Sequence, residues 1–258
     1  MKVQNKSGLT DRIIQEYQQV AAANGQEMWV ATASSLILQV TIPAGGTNNL
    51  QFGVTTNDQP NALSTETRLN INDEFVIIES ALMLYGVMGT ATGPATSLVN
   101  RYWTYAPWQL SSTFITLEPF YDNGVFNLSV NGQLIIKNMD TNQFKFVPRT
   151  EEGAASAATT IVNATIGSVR SNDDAFAEMS PTITLSGAKT NVPVLTFKEN
   201  IVPVTNFAFV TSAANDVYFS INIASWVCRG ILAQNAANFQ GSRDAMGNIM
   251  VKAKQKAA

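Results

Sequence analysis

Apolar and polar positions alternate most sharply over residues 125–137, V-F-N-L-S-V-N-G-Q-L-I-I-K, where two short runs flank the pair Asn131-Gly132. A two-residue type I′ turn places both central residues at positive φ, which Asn and Gly tolerate, so the stretch predicts a β-hairpin. The turn implies a register, with Val130 opposite Gln133, Leu128 opposite Ile135 and Phe126 opposite Lys137. One face then gathers Phe126, Leu128, Val130 and Ile135. Asn127, Ser129, Leu134 and Ile136 make a mixed face on the other side. An isolated hairpin is marginal in water, so the apolar face demands more strands.

The rest of the chain supplies them. Residues 35–42 alternate, with Leu36, Leu38, Val40 and Ile42 on one side and Ser35, Gln39 and Thr41 on the other, until Pro43 and Gly45-Gly46 close the run. Residues 75–87 are apolar on both faces, the pattern of a strand covered on both sides. Further strands are predicted at 50–54, 113–117, 144–147, 182–185, 192–197 and 207–210. Another at 217–223 sets Val217, Phe219, Ile221 and Ile223 on one face and continues through Trp226 and Val227. Long connections occupy 44–74 and 89–112, and the composition shift at 148–160 reads as a linker or a surface loop.

One helical pattern stands apart, at residues 9–23. Thr10 or Asp11 caps it, Gly25 ends it, and Ile13, Ile14, Tyr17 and Val20 form a stripe. So short a helix needs packing, either on its own domain or on a neighbour. About eight strong strands joined by loops of unequal length predict an all-β sandwich. The eight-stranded jelly roll, whose two Greek keys use long crossings between sheets, is the natural candidate.

Composition sharpens this picture. Charged residues are 14% of the 258, against an ordinary hydrophobic share of 45%. A typical chain carries about a quarter charged residues, and interface cores are depleted of them, so extensive contact between copies fits. The net charge of −3 gives no global attraction to nucleic acid. The start, M-K-V-Q-N-K-S, lacks the apolar core of a signal peptide, and the longest apolar window, 75–88, is broken by Glu79.

Candidate chemistry is sparse. The chain has no histidine, which removes Ser-His-Asp and Cys-His arrangements and histidine-ligated metal sites. The single cysteine, Cys228, reads as a small buried apolar residue. The run Ser186-Gly187-Ala188-Lys189-Thr190 ends like a phosphate loop but lacks the glycine before the lysine, and Ile183 stands where the upstream glycine would be. The acid pairs Asp73-Glu74, Glu151-Glu152 and Asp173-Asp174 read as solvated loop charges, since adjacency gives no pair facing across a cleft. No catalytic residue, metal ligand or cofactor is expected, and the chain does not read as an enzyme. Four aromatics, Tyr102, Trp103, Tyr105 and Trp108, are candidate contacts for a subunit or a glycan, or else cover the core.

The order of motifs resembles a known family. A strand at 35–43 opens the chain; Asn72-Asp73-Glu74-Phe75 leads into 76–85; Tyr121-Asp122-Asn123-Gly124 precedes the hairpin; and 141–148, 182–197 and 207–229 follow. In this order they resemble the jelly-roll capsid proteins of tailless icosahedral viruses, the lineage of tectiviruses, corticoviruses and adenoviruses. The resemblance implies a viral jelly-roll β-sandwich with a short N-terminal helix. One elaborated roll is preferred, and a compact double roll divided near 121–124 or 148–158 is the alternative. The domains expected are an N-terminal arm and helix at 1–27, the roll at 28–230 and a basic tail at 231–258.

The resemblance also implies a function. The chain would be a structural capsid protein, made in the host cytoplasm and located in the virion. It would self-assemble into trimers or capsomers of an icosahedral shell in a bacteriophage or other virus, beside other virion proteins. The alternative is a carbohydrate- or receptor-binding sandwich. Lys2, Lys6, Lys252, Lys254 and Lys256 make both ends basic. In a shell these ends would face inward, toward anionic lipid of an internal membrane or toward nucleic acid without sequence specificity.

Overall fold

Strands dominate the chain because its apolar residues recur with period two, which buries one face of each strand. A computed structural model describes residues 11, 14–15, 29–56, 68–90, 100–106, 112–146, 175–209 and 217–235. Among them are ten strands: β1 Trp29–Thr41, β2 Thr47–Gln51, β3 Glu74–Thr90, β4 Asn100–Trp103, β5 Gly124–Val130, β6 Gln133–Asp140, β7 Ala177–Ser186, β8 Asn191–Ile201, β9 Val204–Phe209 and β10 Val217–Asn235. A short helix, α1, covers Pro119–Asp122. Two 3-10 turns, Ser112–Leu117 and Thr141–Phe144, lie where short strands were predicted at 113–117 and 144–147. In the first, Phe114 and Leu117 are buried while Ile115 is 63% exposed. A spacing of three thus carries the buried residues where alternation was expected. The connection predicted at 89–112 contains β4.

The strands form two antiparallel sheets. Sheet A has six strands, ordered β1-β10-β3-β4, with β7 also on β3 and β9 also on β10. β1 and β9 occupy successive stretches of β10, just as β4 and β7 occupy successive stretches of β3. Sheet B has four strands, ordered β2-β8-β5-β6. The main core lies between the sheets. Leu36 and Leu38 of β1, Phe75 and Leu82 of β3 and Trp226 of β10 meet Leu50 of β2, Phe126 and Leu128 of β5 and Leu195 of β8. The alternation read at 35–42 holds: Leu36, Leu38 and Ile42 are buried, and Val40 packs against the same core. The two-sided pattern of β3 holds as well, because Val76, Ile78, Ala81 and Met83 are buried on the face turned away from that core.

The hairpin at β5–β6 forms, with Asn131 at φ 51° and Gly132 at φ 78°. Val130 faces Gln133, as the turn requires, but the ladder then slips. Leu128 faces Ile136 and Phe126 faces Met139, which corrects the expected pairs with Ile135 and Lys137. Ile136 is therefore buried, while Leu134 and Ile135 stay 48% and 45% exposed. Asn138, at φ 52°, absorbs part of the extra length, and its N–H donates to Asn127 Oδ1 at 2.9 Å. A similar bulge between Ile221 and Ile223 of β10 moves Ala224, Trp226 and Cys228 onto the core face.

A Cβ at Gly132 would meet nothing within 4 Å, so only its φ restrains substitution. Gly132→Val is expected to lose about 1–3 kcal/mol of stability from backbone strain alone. Gly132→Asn should be nearly neutral, since Asn tolerates this φ. Urea midpoints of the two variants check this; an unchanged midpoint for Gly132→Val would remove the positive-φ assignment.

Of the helix predicted at 9–23, Asp11, Ile14 and Gln15 fall among the described residues, and all three are helical. The sheet also passes the boundary expected at 230, since β10 continues to Asn235. The linker expected at 148–160 lies outside the described residues.

Candidate functional site

Each residue expected to carry chemistry or contact can be followed into the fold. Trp103, at the end of β4, is 7% exposed and Tyr105 6%, and their rings meet edge to face 5.7 Å apart within the main core. Tyr102 alternates to the opposite face of sheet A, where it is half-buried 4.9 Å from Tyr85. Gln39 Nε2 donates to its hydroxyl at 3.4 Å. Burial, with Tyr85 beside it, raises the Tyr102 pKa. Of the four aromatics, Tyr102 alone is shown with a partly open ring, and Trp108 lies outside the described residues. Lys2, Lys6, Lys252, Lys254 and Lys256 lie outside them too.

Of the three carboxylate pairs, Asp73-Glu74 falls among the described residues. Asp73 is 5% exposed and accepts from Asn70 Nδ2 at 3.0 Å, which fixes the turn before β3. Glu151-Glu152 and Asp173-Asp174 lie outside the described residues. Among the described residues no three of His, Cys, Asp and Glu come together as a metal site, and no helix is long and apolar enough to cross a membrane. A cavity of about 10 Å³ opens beside Ser35, Arg68, Asn70, Asp73 and Gln234, room for about one water. Cys228 is fully buried, and burial pushes its thiol pKa well up, which leaves it unreactive.

Two charged clusters went unnoticed in the sequence. In the first, Lys145 follows the second 3-10 turn and donates to Glu118, at the start of α1, and to Asp122 Oδ1 at 2.8 Å. Burial raises the Glu118 pKa, outweighing its bond to Lys145. For Asp122 burial also works upward, but bonds from Lys145 and to Glu118 hold its pKa low. For Lys145 burial works downward and the two acids prevail, so its pKa is raised. A lysine kept charged between two acids is a structural tie, not a nucleophile. It fastens the turn before β5 to the segment after β6. In the second cluster, Arg229 on β10 pairs with Glu79 on β3 at 3.2 Å and lies 3.8 Å from the centre of the Phe176 ring. Glu118 and Lys145, like Glu79 and Arg229, are too far apart in sequence for any local pattern to announce them.

Tyr121 is the hub of the same corner. Fully buried, it donates to the Trp103 carbonyl at 2.7 Å, and its own carbonyl accepts from Thr141 Oγ1 at 2.9 Å. Burial pushes its pKa well above that of an ordinary tyrosine, so it remains a neutral donor. Large apolar side chains reach solvent at Ile71, Ile115, Leu134 and Ile135. The described residues thus offer buried ties and exposed apolar points. Comparison of the chain with protein families, with curated proteins and with solved structures finds no match in any of the three.

Proposed function

We propose that the chain is a jelly-roll shell subunit whose work is self-assembly. One observation carries this reading: the nested pairing of the strands. β1 pairs with β10, β2 with β8, β3 with β7 and β5 with β6. With β4 and β9 set aside, first meets last, second meets second-last, and so inward to the central hairpin. A long hairpin folded this way and rolled into two sheets is a jelly roll. β4 and β9 then extend the two columns of sheet A built on β3 and β10. One roll, not two, is supported by a core cluster running from Leu36 to Cys228 with members from both sheets.

The shell function draws further support from the 14% charged residues and from the exposed Ile71, Ile115, Leu134 and Ile135. The carbohydrate-binding reading relied on four aromatics, two of which now lie in the core. In this proposal the subunit is a capsid protein of a tailless icosahedral virus or phage and resides in the virion. Trp29 and Asn235 are register partners at one end of sheet A, so segments 1–28 and 236–258 branch from a common place. That placement supports a joint role of their lysines toward an anionic interior.

The test is assembly. The purified full chain is expected to sediment at micromolar concentration and neutral pH as a trimer or larger closed particle, with contacts above roughly 1,000 Å². Negative-stain images should show rings or shells. A chain that remains monomeric under these conditions, and in the presence of anionic vesicles, would remove the proposal.

A further inference from the structure

We propose that the outer edge of β1 pairs with β1 of a second copy of the chain, antiparallel and about a two-fold axis at Ser35. Among the described residues this edge is open, since β1 ends its row of sheet A and pairs with β10 alone. Its outward groups follow from one bond. The Ile42 N–H donates to the Asn222 carbonyl at 2.8 Å, so the even-numbered residues of β1 bond to β10. Antiparallel ladders alternate, so Ala31, Ala33, Ser35, Ile37 and Gln39 turn their N–H and C=O groups away from β10. Among the described residues, the bond shown to these groups is from the Ser34 hydroxyl to the Ser35 carbonyl, stretched to 3.5 Å. Thr32 and Ala33 are exposed and Ser35 is half-buried, as an open edge requires.

Proteins guard such edges with charge, proline, bulges or brevity. The other described edges carry these devices. β2, β4 and β9 have 5, 4 and 6 residues. β6 bears Lys137 and is distorted at Asn138, whose φ is 52°. β7 bears Glu178 and Pro181. β1 has 13 residues, W-V-A-T-A-S-S-L-I-L-Q-V-T, with no charge, proline or glycine and no register shift against β10. So long an edge is best matched by an equally long and unguarded strand, and among the described strands β1 itself supplies it. Ser35 is the middle residue, so a two-fold axis there overlaps the two strands in full. It sets Ile37 opposite Ala33 and Leu36 opposite Ser34, large against small, with no like charges facing. The outward groups of 31–39 then form about ten backbone hydrogen bonds, the number an ordinary interface carries. Such a contact is isologous and runs one sheet through both copies.

Cross-linking of the full chain tests the pairing and its register. At the axis the two Ser35 Cα atoms would stand about 5.5 Å apart, within disulfide reach. Two Ala33 would stand about 14 Å apart. Ser35→Cys should therefore give a covalent dimer under mild oxidation, and Ala33→Cys less than a tenth as much. Cys228 is fully buried and can remain. Absence of the first product, or equal yields, would overturn the proposal. Ser35→Pro removes a donor turned away from β10, so it should keep the parent's urea midpoint and weaken self-association at least tenfold. A folded Ser35→Pro chain that associates like the parent would overturn it too. Hydrogen exchange of the parent gives a reading that needs no variant. The amides of Ala33, Ser35 and Ile37 should be protected in the associated protein and exchange at least tenfold faster on dilution to monomer. Protection that persists in the monomer would place another part of the same chain on this edge and overturn the pairing. The shell reading fails separately. A two-fold dimer that grows no further would uphold the pairing and count against the shell, while shells of Ser35→Cys chains that do not cross-link would do the reverse.

Discussion

Gly230→Ala is expected to prevent folding at 37 °C, or to cost more than about 4 kcal/mol where it can be measured, a loss reserved for a few specific mechanisms. Gly230 lies in β10 between β1 and β3, opposite Ser34 on one side and Ile77 on the other. The register with β3 shifts between Arg229 and Gly230, which brings the two backbones unusually close. A Cβ there would stand 1.8 Å from the Val76 carbonyl oxygen and 2.9 Å from its carbon. No rotamer change relieves a clash with backbone, so the two longest strands would have to part in the middle of sheet A. Gly45→Ala is the control, because a Cβ at Gly45 meets nothing within 4 Å. Its urea midpoint should match the parent. A Gly230→Ala chain that melts within a few degrees of the parent would mean that β10 and β3 are paired in another register.

Trp226→Ala should be the most damaging of the side-chain truncations, at about 3–5 kcal/mol. The indole is fully buried, 4.9 Å from the Phe126 ring and 6.4 Å from that of Phe52. It stands on sheet A and reaches residues of sheet B, so its loss leaves a cavity spanning both layers. Its N–H has no hydrogen-bond partner among the described residues. Trp226→Phe deletes that unsatisfied donor together with part of the ring, and the two effects oppose each other. It should therefore cost less than half as much as the alanine change. Chemical denaturation of both variants, with unchanged m-values, reads the difference. Equal losses would place the indole N–H in a hydrogen bond that matters.

What sequence reading captured here, and what it lost, follows from how local each determinant is. Asn131-Gly132 announces a hairpin because the turn depends on two adjacent residues. Leu36, Leu38, Val40 and Ile42 announce a half-buried strand because the period of two is unbroken. The bulges at Ile135, Asn138 and Asn222 erase such reasoning beyond the first few pairs, since one added residue turns every later side chain over. Phe114 and Leu117 carry strand-like composition into a 3-10 turn because tertiary burial outweighs β propensity. The nested order of the strands is invisible locally, because β1 and β10 find each other only in three dimensions. The same distance hides the tie of Glu118 and Asp122 to Lys145, and the path of the Tyr121 hydroxyl to Trp103.

The nested order has a consequence in time. β10 lies between β1 and β3, so neither of the long neighbours can finish its ladder before the last strand exists. At about 5–20 residues per second, a ribosome that has made Thr41 takes roughly 9–35 seconds to reach Val217. Throughout that interval β1 has no β10 to receive it, and β3 lacks its central partner. Such long-range closure is slow to fold and leaves apolar strands open to wrong pairing. The same arrangement acts as a check on completeness. A chain that stops short of residue 217 lacks the middle of sheet A, so a prematurely released product cannot pass for a finished one.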